Sequence, residues 1–288
     1  MVVFLPAALA VALRHGSRQA LVIIAAIAFI SLVGLVDDLR PLRARVRFGA
    51  QCLAAAVVVG SDWDRLGEAW TLAGVLPSWL LVPVSILWMV WLTNLYNFMD
   101  GIDGLAGGQA VIAGIGVALA AHSIGADLPA ALAALLAATA AGFLVFNFPP
   151  ASIFMGDVGS TAIGFLFASL PFLGGGTGIP AEAVGLALAL FILDATVTLV
   201  RRLLRGERFF QAHRTHCYQR PLSLGIPHRR ITLAAYAGMV AVGAGAAVWP
   251  RVGMAARIAL VAGATLLYVA YVLVVIRLER RGGGASHA

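Results

Sequence analysis

The sequence predicts an all-α polytopic membrane bundle, and three observations carry that expectation. Of 288 residues, 61% are hydrophobic and 11% charged, against about one-quarter charged in a soluble domain. Apolar runs near the ~20 residues needed to cross a bilayer recur along the whole length. The charged residues gather in the short stretches between these runs. Only helices and closed barrels span hydrocarbon, and these runs are too long and continuous for barrel strands.

The runs cover 1–13, 20–36, 46–60, 76–96, 105–122, 129–148, 158–173, 180–200, 231–249 and 255–277, so about nine to ten transmembrane helices are expected. The first run resembles a secretory h-region but has no basic segment before it, and it reads as a short membrane segment. The second closes on Asp37-Asp38, and the third follows Arg43, Arg45 and Arg47. The fourth carries Asn94 at its end and is followed by Asn97 and Asp100, and Gly104, Gly107 and Gly108 open the fifth. The sixth stops at Asn147 before Pro149-Pro150, and Gly156-Asp157 opens the seventh. The eighth carries Asp194 inside it, and the last two flank Arg251. With no fixed-period repeat and no soluble module, residues 1–288 read as one integral domain, with 281–288 as a disordered tail.

Orientation follows from the arginines, because short cytoplasmic loops carry the basic excess. All 20 basic residues are Arg. Fifteen fall at 40–47, 201–230 and 277–281, whereas Arg14, Arg18, Arg65, Arg251 and Arg257 lie on the other face. That places the acidic motifs in the cytoplasm, in a cleft at that membrane face. The net charge of +7 then reflects topology and phosphate partners; nucleic acid is excluded because no soluble basic module gathers the charge. Cys52 in an apolar span and Cys217 in a cytoplasmic loop are not expected to pair.

Carboxylates are costly near hydrocarbon, so acids repeated at one depth point to function. Asp37 and Asp38 repel each other and need a cation or a proton; a solvated helix-end pair is the plain alternative. Asn94, Asn97, Asp100 and Asp103 recur every three residues and project from one side of a tight helical segment. Glycines 101, 104, 107 and 108 let the backbone approach a ligand. Carboxylate and amide oxygens with open space suit a hard cation such as Mg²⁺, with waters and phosphates completing its shell. Asp157, with Gly156, Gly159 and Ser160, fits either a helix cap or a phosphate cradle. Asp194 reads as a structural partner of Arg201 or Arg202, and Glu182 as a solvated acid. In the 201–230 loop, Arg214 and its neighbours offer forks for phosphate or carboxylate oxygens. His213 and His216 share a helical face, but a structural zinc site needs more soft ligands than Cys217 supplies.

Taken together, DDLRPL (37–42), NLYNFMDGIDGL (94–105), NFPPASIFMGDVGS (147–160) and the late His loop resemble the polyprenyl-phosphate N-acetylhexosamine-1-phosphate transferases, a membrane family filed as glycosyltransferase family 4. The match runs in order from about residue 20 to residue 230. The NxxNxxDGIDGL and FMGDxGS strings are specific; the DD pair and single His matches are not. The resemblance implies a Mg²⁺-dependent enzyme (Mn²⁺ as substitute) of the bacterial inner membrane. It would transfer N-acetylhexosamine 1-phosphate from a UDP-sugar to undecaprenyl phosphate, with release of UMP, at the start of an envelope glycan. By the same resemblance Asp157 is the leading metal ligand, joined by Asp103. Asp37, Asp38, Asp100, Asp103 and His216 are the catalytic candidates. Asn94, Asn97, Asn147, His213 and Arg214 are the substrate-binding ones. A homodimer stays open.

Two departures stand out. Tyr218 and Gln219 occupy positions where family members show further His. Family members also carry an amino-terminal helix and a Pro- and Gly-rich cytoplasmic loop ahead of the segment that opens this sequence, which keeps an inactive or amino-terminally truncated relative as an alternative. A secondary transporter is the less favoured rival, since such proteins place ionisable groups near the bilayer midplane and show repeats. The DGxxAR signature of CDP-alcohol phosphatidyltransferases is absent.

Overall fold

The computed structural model describes residues 1–71, 77–173, 178–207 and 215–284, and among them every regular element is helical. Eleven α-helices follow in order: α1 Phe4–His15, α2 Arg18–Leu39, α3 Ala44–Gly60, α4 Ser78–Phe98, α5 Leu105–His122, α6 Asp127–Asn147, α7 Gly156–Ser169, α8 Ala181–Ala187, α9 Ala189–Leu204, α10 His228–Val248 and α11 Met254–Gly284. Short 3₁₀ turns sit between them, one at Cys217–Leu224. His213 and Arg214 lie outside the described residues.

The all-α bundle is as expected, but the count of spans differs. Among the described residues six helices are long and apolar enough to cross a membrane, or seven if the bent α8–α9 pair is one span. Each of the ten apolar runs does form helix, yet α1, α3 and α7 hold only 12, 17 and 14 residues. The apolar run over 158–173 overcounts because α7 ends at Ser169 and passes into a 3₁₀ turn at Leu170–Phe172. At the far end α11 continues to Gly284, past the boundary at which a disordered tail was expected.

The short α7 is the centre of the molecule. It is buried residue after residue from Gly159 to Ser169, as a helix apolar all round must be, and it packs between α2 and α4. Small residues permit this closeness. A Cβ on Gly34 of α2 would lie 2.7 Å from the Asp157 carbonyl, and one on Gly164 would lie 2.8 Å from the Leu92 carbonyl of α4. Hydroxyls in α7 are satisfied within the helix: Ser169 donates to the Phe165 carbonyl (2.6 Å) and Thr161 to that of Asp157 (2.5 Å), so neither leaves a buried polar group unpaired.

α8 and α9 meet at an 81° bend. No proline is needed there, because Gln109, fully buried on α5, donates to the Ala187 carbonyl at 3.0 Å. A helix broken inside a bundle needs such a partner for its freed carbonyls. Beyond the break, α9 extends through Arg201 and Arg202, so these two arginines stand on a helix rather than in the loop. On the opposite side of the bundle, Glu182 is not merely solvated: its carboxylate accepts the Thr71 N–H (3.0 Å) and hydroxyl (3.1 Å).

The α2–α7 contact gives a direct test. Gly34→Ala drives a methyl into backbone that cannot step aside, and overpacking of this kind costs about 1–3 kcal/mol. A lowered melting temperature in detergent is the expected outcome; an unchanged one would contradict the packing.

Candidate active site

The ends of α2, α4 and α6 and the starts of α3, α5, α7 and α10 converge, and this is where the acidic motifs meet. The turn after α2 folds α3 back so that Arg47, ten residues beyond Asp37, reaches that acid. Arg47 Nη1 lies 2.6 Å from Asp37 Oδ2 and 3.1 Å from Asp157 Oδ2. The other oxygen of Asp37 accepts the Leu42 N–H at 2.5 Å. One guanidinium thus bridges two carboxylates from different helices.

Asp38 turns to a separate task. The residue ahead of α7 is Met155, which offers no side-chain cap, and a helix start leaves several N–H groups unpaired. Asp38 supplies the acceptors from α2, taking the N–H of Asp157 at 2.9 Å and of Val158 at 3.1 Å. Gly156 has φ +63°, and a Cβ there would sit 2.6 Å from Asp38 Oδ2, so glycine is required. The cap role open to Asp157 therefore belongs to Asp38, and the Asp157 carboxylate is directed to Arg47 and Asp37.

Asp100, in the turn between α4 and α5, completes the acidic group. Burial, then the charges of Asp157 and Asp38, push its carboxyl up to about 7. Asp157 rises to about 6 through burial and the hydrogen bond and charge it shares with Asp37, against the pull of Arg47. Burial first, and the neighbouring acids after it, disfavour the charged forms of both carboxyls here.

Other candidates stand elsewhere. Asp103 is not joined to Asp157. Its Oδ2 accepts the Ala151 N–H at 3.1 Å and its Oδ1 lies 3.3 Å from His228 Nδ1. Asn94 braces α3 against α4, donating to Gln51 Oε1 (2.5 Å) and to its own helix at the Val90 carbonyl (2.7 Å). Asn97 accepts the Ser160 hydroxyl at 2.6 Å and so ties α4 to α7 at the site. Asn147, 4% exposed, accepts the Gly104 N–H (3.0 Å) and donates to the Ile153 carbonyl (2.9 Å). It spends both ends on backbone and stitches two site loops together.

His216 directly precedes the Cys217–Leu224 turn. It is 2% exposed, with Nδ1 3.4 Å from Asp194 Oδ1. Asp194 also accepts the N–H groups of Cys217 (3.0 Å) and Tyr218 (2.9 Å). Among the described residues its partners are this turn and not an arginine, and Arg202 pairs with Glu207 at 2.9 Å. With the turn anchored, Tyr218 donates to the Phe98 carbonyl (3.2 Å). A Cβ on Gly101 would lie 2.4 Å from both the Tyr218 hydroxyl and Gln219 Nε2. The two residues that stand where further His were expected thus wall the Asp100 turn.

Sequence reasoning missed Arg47, counted only towards topology, and His228. The signal for Arg47 was its position in the first turn of α3, facing back across the short 40–43 link. Among the described residues no group of three or more His, Cys, Asp or Glu is gathered to hold a metal ion. The acidic group instead offers the one or two carboxylates that Mg²⁺ typically takes from a protein.

The glycosyl transferase family 4 model matches residues 20–175, just over half of the chain and all three of the helix junctions that build the acidic group. The chain belongs to glycosyl transferase family 4. It is 33% identical over 215 residues to a probable undecaprenyl-phosphate N-acetylglucosaminyl 1-phosphate transferase of Bacillus subtilis, covering 73% of this chain and 60% of that protein. To the decaprenyl-phosphate N-acetylglucosaminephosphotransferase of Mycobacterium tuberculosis it is 32% identical over 281 residues, covering 87% of this chain and 68% of the relative. A phospho-N-acetylmuramoyl-pentapeptide-transferase of Heliobacterium modesticaldum is 32% identical over 203 residues, covering 64% and 62%. The chain thus spans roughly two-thirds of the length of its family 4 relatives.

For this family 4 chain the cap from Asp38 makes a checkable claim. Asp38→Ala leaves two N–H groups at the start of α7 unpaired, which costs about 1 kcal/mol for a lost cap. Asp38→Asn, which keeps one acceptor oxygen, should cost less. Thermal denaturation of the two variants in the same detergent reads the order.

Proposed function

We propose that this protein transfers N-acetylhexosamine 1-phosphate from a UDP-sugar to a polyprenyl phosphate and releases UMP, at the cytoplasmic face of a bacterial inner membrane. The observation that carries the reading is the group formed by Asp38, Asp100 and Asp157 with Asp37 and Arg47, excess negative charge at one end of an apolar bundle. Two relatives are named for N-acetylglucosamine transfer to undecaprenyl or decaprenyl phosphate, so UDP-N-acetylglucosamine is the first donor to assay. The arginine excess on the same side supports a cytoplasmic face.

The reaction forms a bond from a lipid-phosphate oxygen to the sugar-bearing phosphorus. It breaks the bond from that phosphorus to the bridging oxygen, which departs with UMP. Such transfers depend on positioning and charge stabilisation. Asp100 and Asp157 are the residues that would hold Mg²⁺, with Mn²⁺ an acceptable substitute. Bound there, the ion supplies neutralisation of the diphosphate and of the charge developing on UMP. Asp37 holds Arg47 in reach of the site, where its guanidinium can pair with phosphate oxygens. Asp38 and the Asn97–Ser160 bond fix the first turn of α7, so Asp157 stays in place. Asp103, expected as a second ligand, accepts the Ala151 N–H and lies beside His228, so we favour Asp100 as the partner of Asp157.

Membranes containing the protein, given C55 phosphate, Mg²⁺ and UDP-N-acetylglucosamine, should release UMP, and Asp157→Asn should abolish release while the protein still inserts. Retained release in that variant would overturn the ligand assignment.

The raised carboxyls set a second test. A folded-state pKa of about 7 for Asp100 lies above its unfolded value of about 4. The unfolded chain therefore binds fewer protons between these values, and metal-free stability falls as pH rises from about 4 to 7. Asp100→Asn should flatten that slope, raise the metal-free melting temperature at pH 7.5 and weaken the stabilisation by Mg²⁺. An unchanged slope would remove Asp100 from the site.

A further inference from the structure

His228 is the first residue of α10, and the proposed reaction gives it no task. The Asp103 N–H donates to its Nδ1 at 3.4 Å, which leaves the ring proton on Nε2, and Asp103 Oδ1 lies 3.3 Å from the same nitrogen. Asp103 is itself held from three directions. Ala151 donates to Oδ2 (3.1 Å), Thr232 of α10 donates to its carbonyl (2.8 Å), and the next residue, Gly104, donates to Asn147 (3.0 Å). An acid so fixed sets the plane of the ring that rests on it. The ring is not enclosed, since 41% of the side chain is exposed, and among the described residues Nε2 makes no hydrogen bond. Arg229 and Arg230 follow it and are exposed, and the start of a 21-residue helix adds its own positive field. The turn that carries Asp103 also carries Asp100, three residues earlier.

We propose that His228, oriented by Asp103, donates from Nε2 to a phosphate oxygen of the nucleotide-sugar and of the departing UMP. A ring whose Nδ1 accepts a fixed backbone N–H carries its proton on Nε2 and presents that proton outward. The ligand class is a nucleoside phosphate, because the neighbouring charges are arginines and helix N–H groups. Asp103 acts through His228 and is a positioning residue. The inference rests on the function proposed above, and UMP serves as a probe that needs no turnover.

The experiment measures UMP affinity by titration calorimetry on full-length protein in detergent with Mg²⁺. Wild type is compared with His228→Gln, which keeps a donor near the Nε2 position, and His228→Leu, which has similar bulk and none. Losing a hydrogen bond to a charged group costs about 1.5–3 kcal/mol, or roughly ten- to a hundredfold in affinity. His228→Leu should show that loss and His228→Gln should recover most of it. Asp103→Asn should weaken binding alone but add little in the His228→Leu background. Equal loss in both His228 variants indicates a structural role and overturns the proposal, as does wild-type affinity in His228→Leu. A wild-type protein that binds no uridine nucleotide overturns the function and this inference together. UMP binding with unaltered His228 variants overturns only the inference.

Discussion

Everything at the functional end of this bundle depends on bringing the first turn of α7 against the last turn of α2. Asp38 can cap α7 only because Gly34 lets the two backbones touch and Gly156 makes room for the carboxylate. That contact also sets Asp157 beside Asp37 and within reach of Arg47. The gathering is unfavourable in itself: like charges crowd where water is scarce, and Asp100 and Asp157 are pushed up to about 7 and about 6. One arginine shared by two acids offsets part of the repulsion. A protein that keeps such a group keeps a demand for cations, and packing elsewhere must hold the acids together.

That support comes from residues whose role was hard to read in sequence. Helices and junctions were legible, because long apolar runs and polar clusters are one-dimensional signals. Each of the ten runs forms helix, and the family motifs lie where the junctions meet. The partners of individual side chains were not legible. Asp37 and Asp38 are adjacent, yet about 100° apart around a helix, so one meets Arg47 and the other the end of α7. Asn94, Asn97, Asp100 and Asp103 share a three-residue spacing but not a purpose. Asn94 lies a turn deeper and meets Gln51; Asp103 lies past the end of α4 and meets α10. Spacing within one segment does not reveal which neighbour arrives from another.

The same limit explains Asn147 and His216. Both are polar residues beside motifs, and sequence offers no way to separate a group that faces a ligand from one that satisfies backbone. In the fold Asn147 spends both amide atoms on the Gly104 N–H and the Ile153 carbonyl, and His216 sits with Asp194 beside the 217–224 turn. Each fixes a loop that carries something else. Sites hold their geometry when the residues behind them are locked by packing and hydrogen bonds. Asn147 and Asp194 do that for loops that would otherwise be free to move.

The turn from Met99 to Gly104 then acquires a particular importance. Asn97, just before it, is tied to α7 through Ser160; Tyr218 grips the Phe98 carbonyl; Asn147 holds Gly104. Between these fixed points the turn shows one acid to each side, Asp100 to the α2–α7 carboxylates and Asp103 to His228 on α10. A displacement of α10 therefore reaches Asp100 through only three residues of constrained backbone. The glycines at 101 and 104 make this possible, the first because Tyr218 and Gln219 lie against it and the second because its φ is +75°. A side chain at either position would separate the two acids from their partners, so the DGIDG string encodes the geometry of the turn as much as its charge.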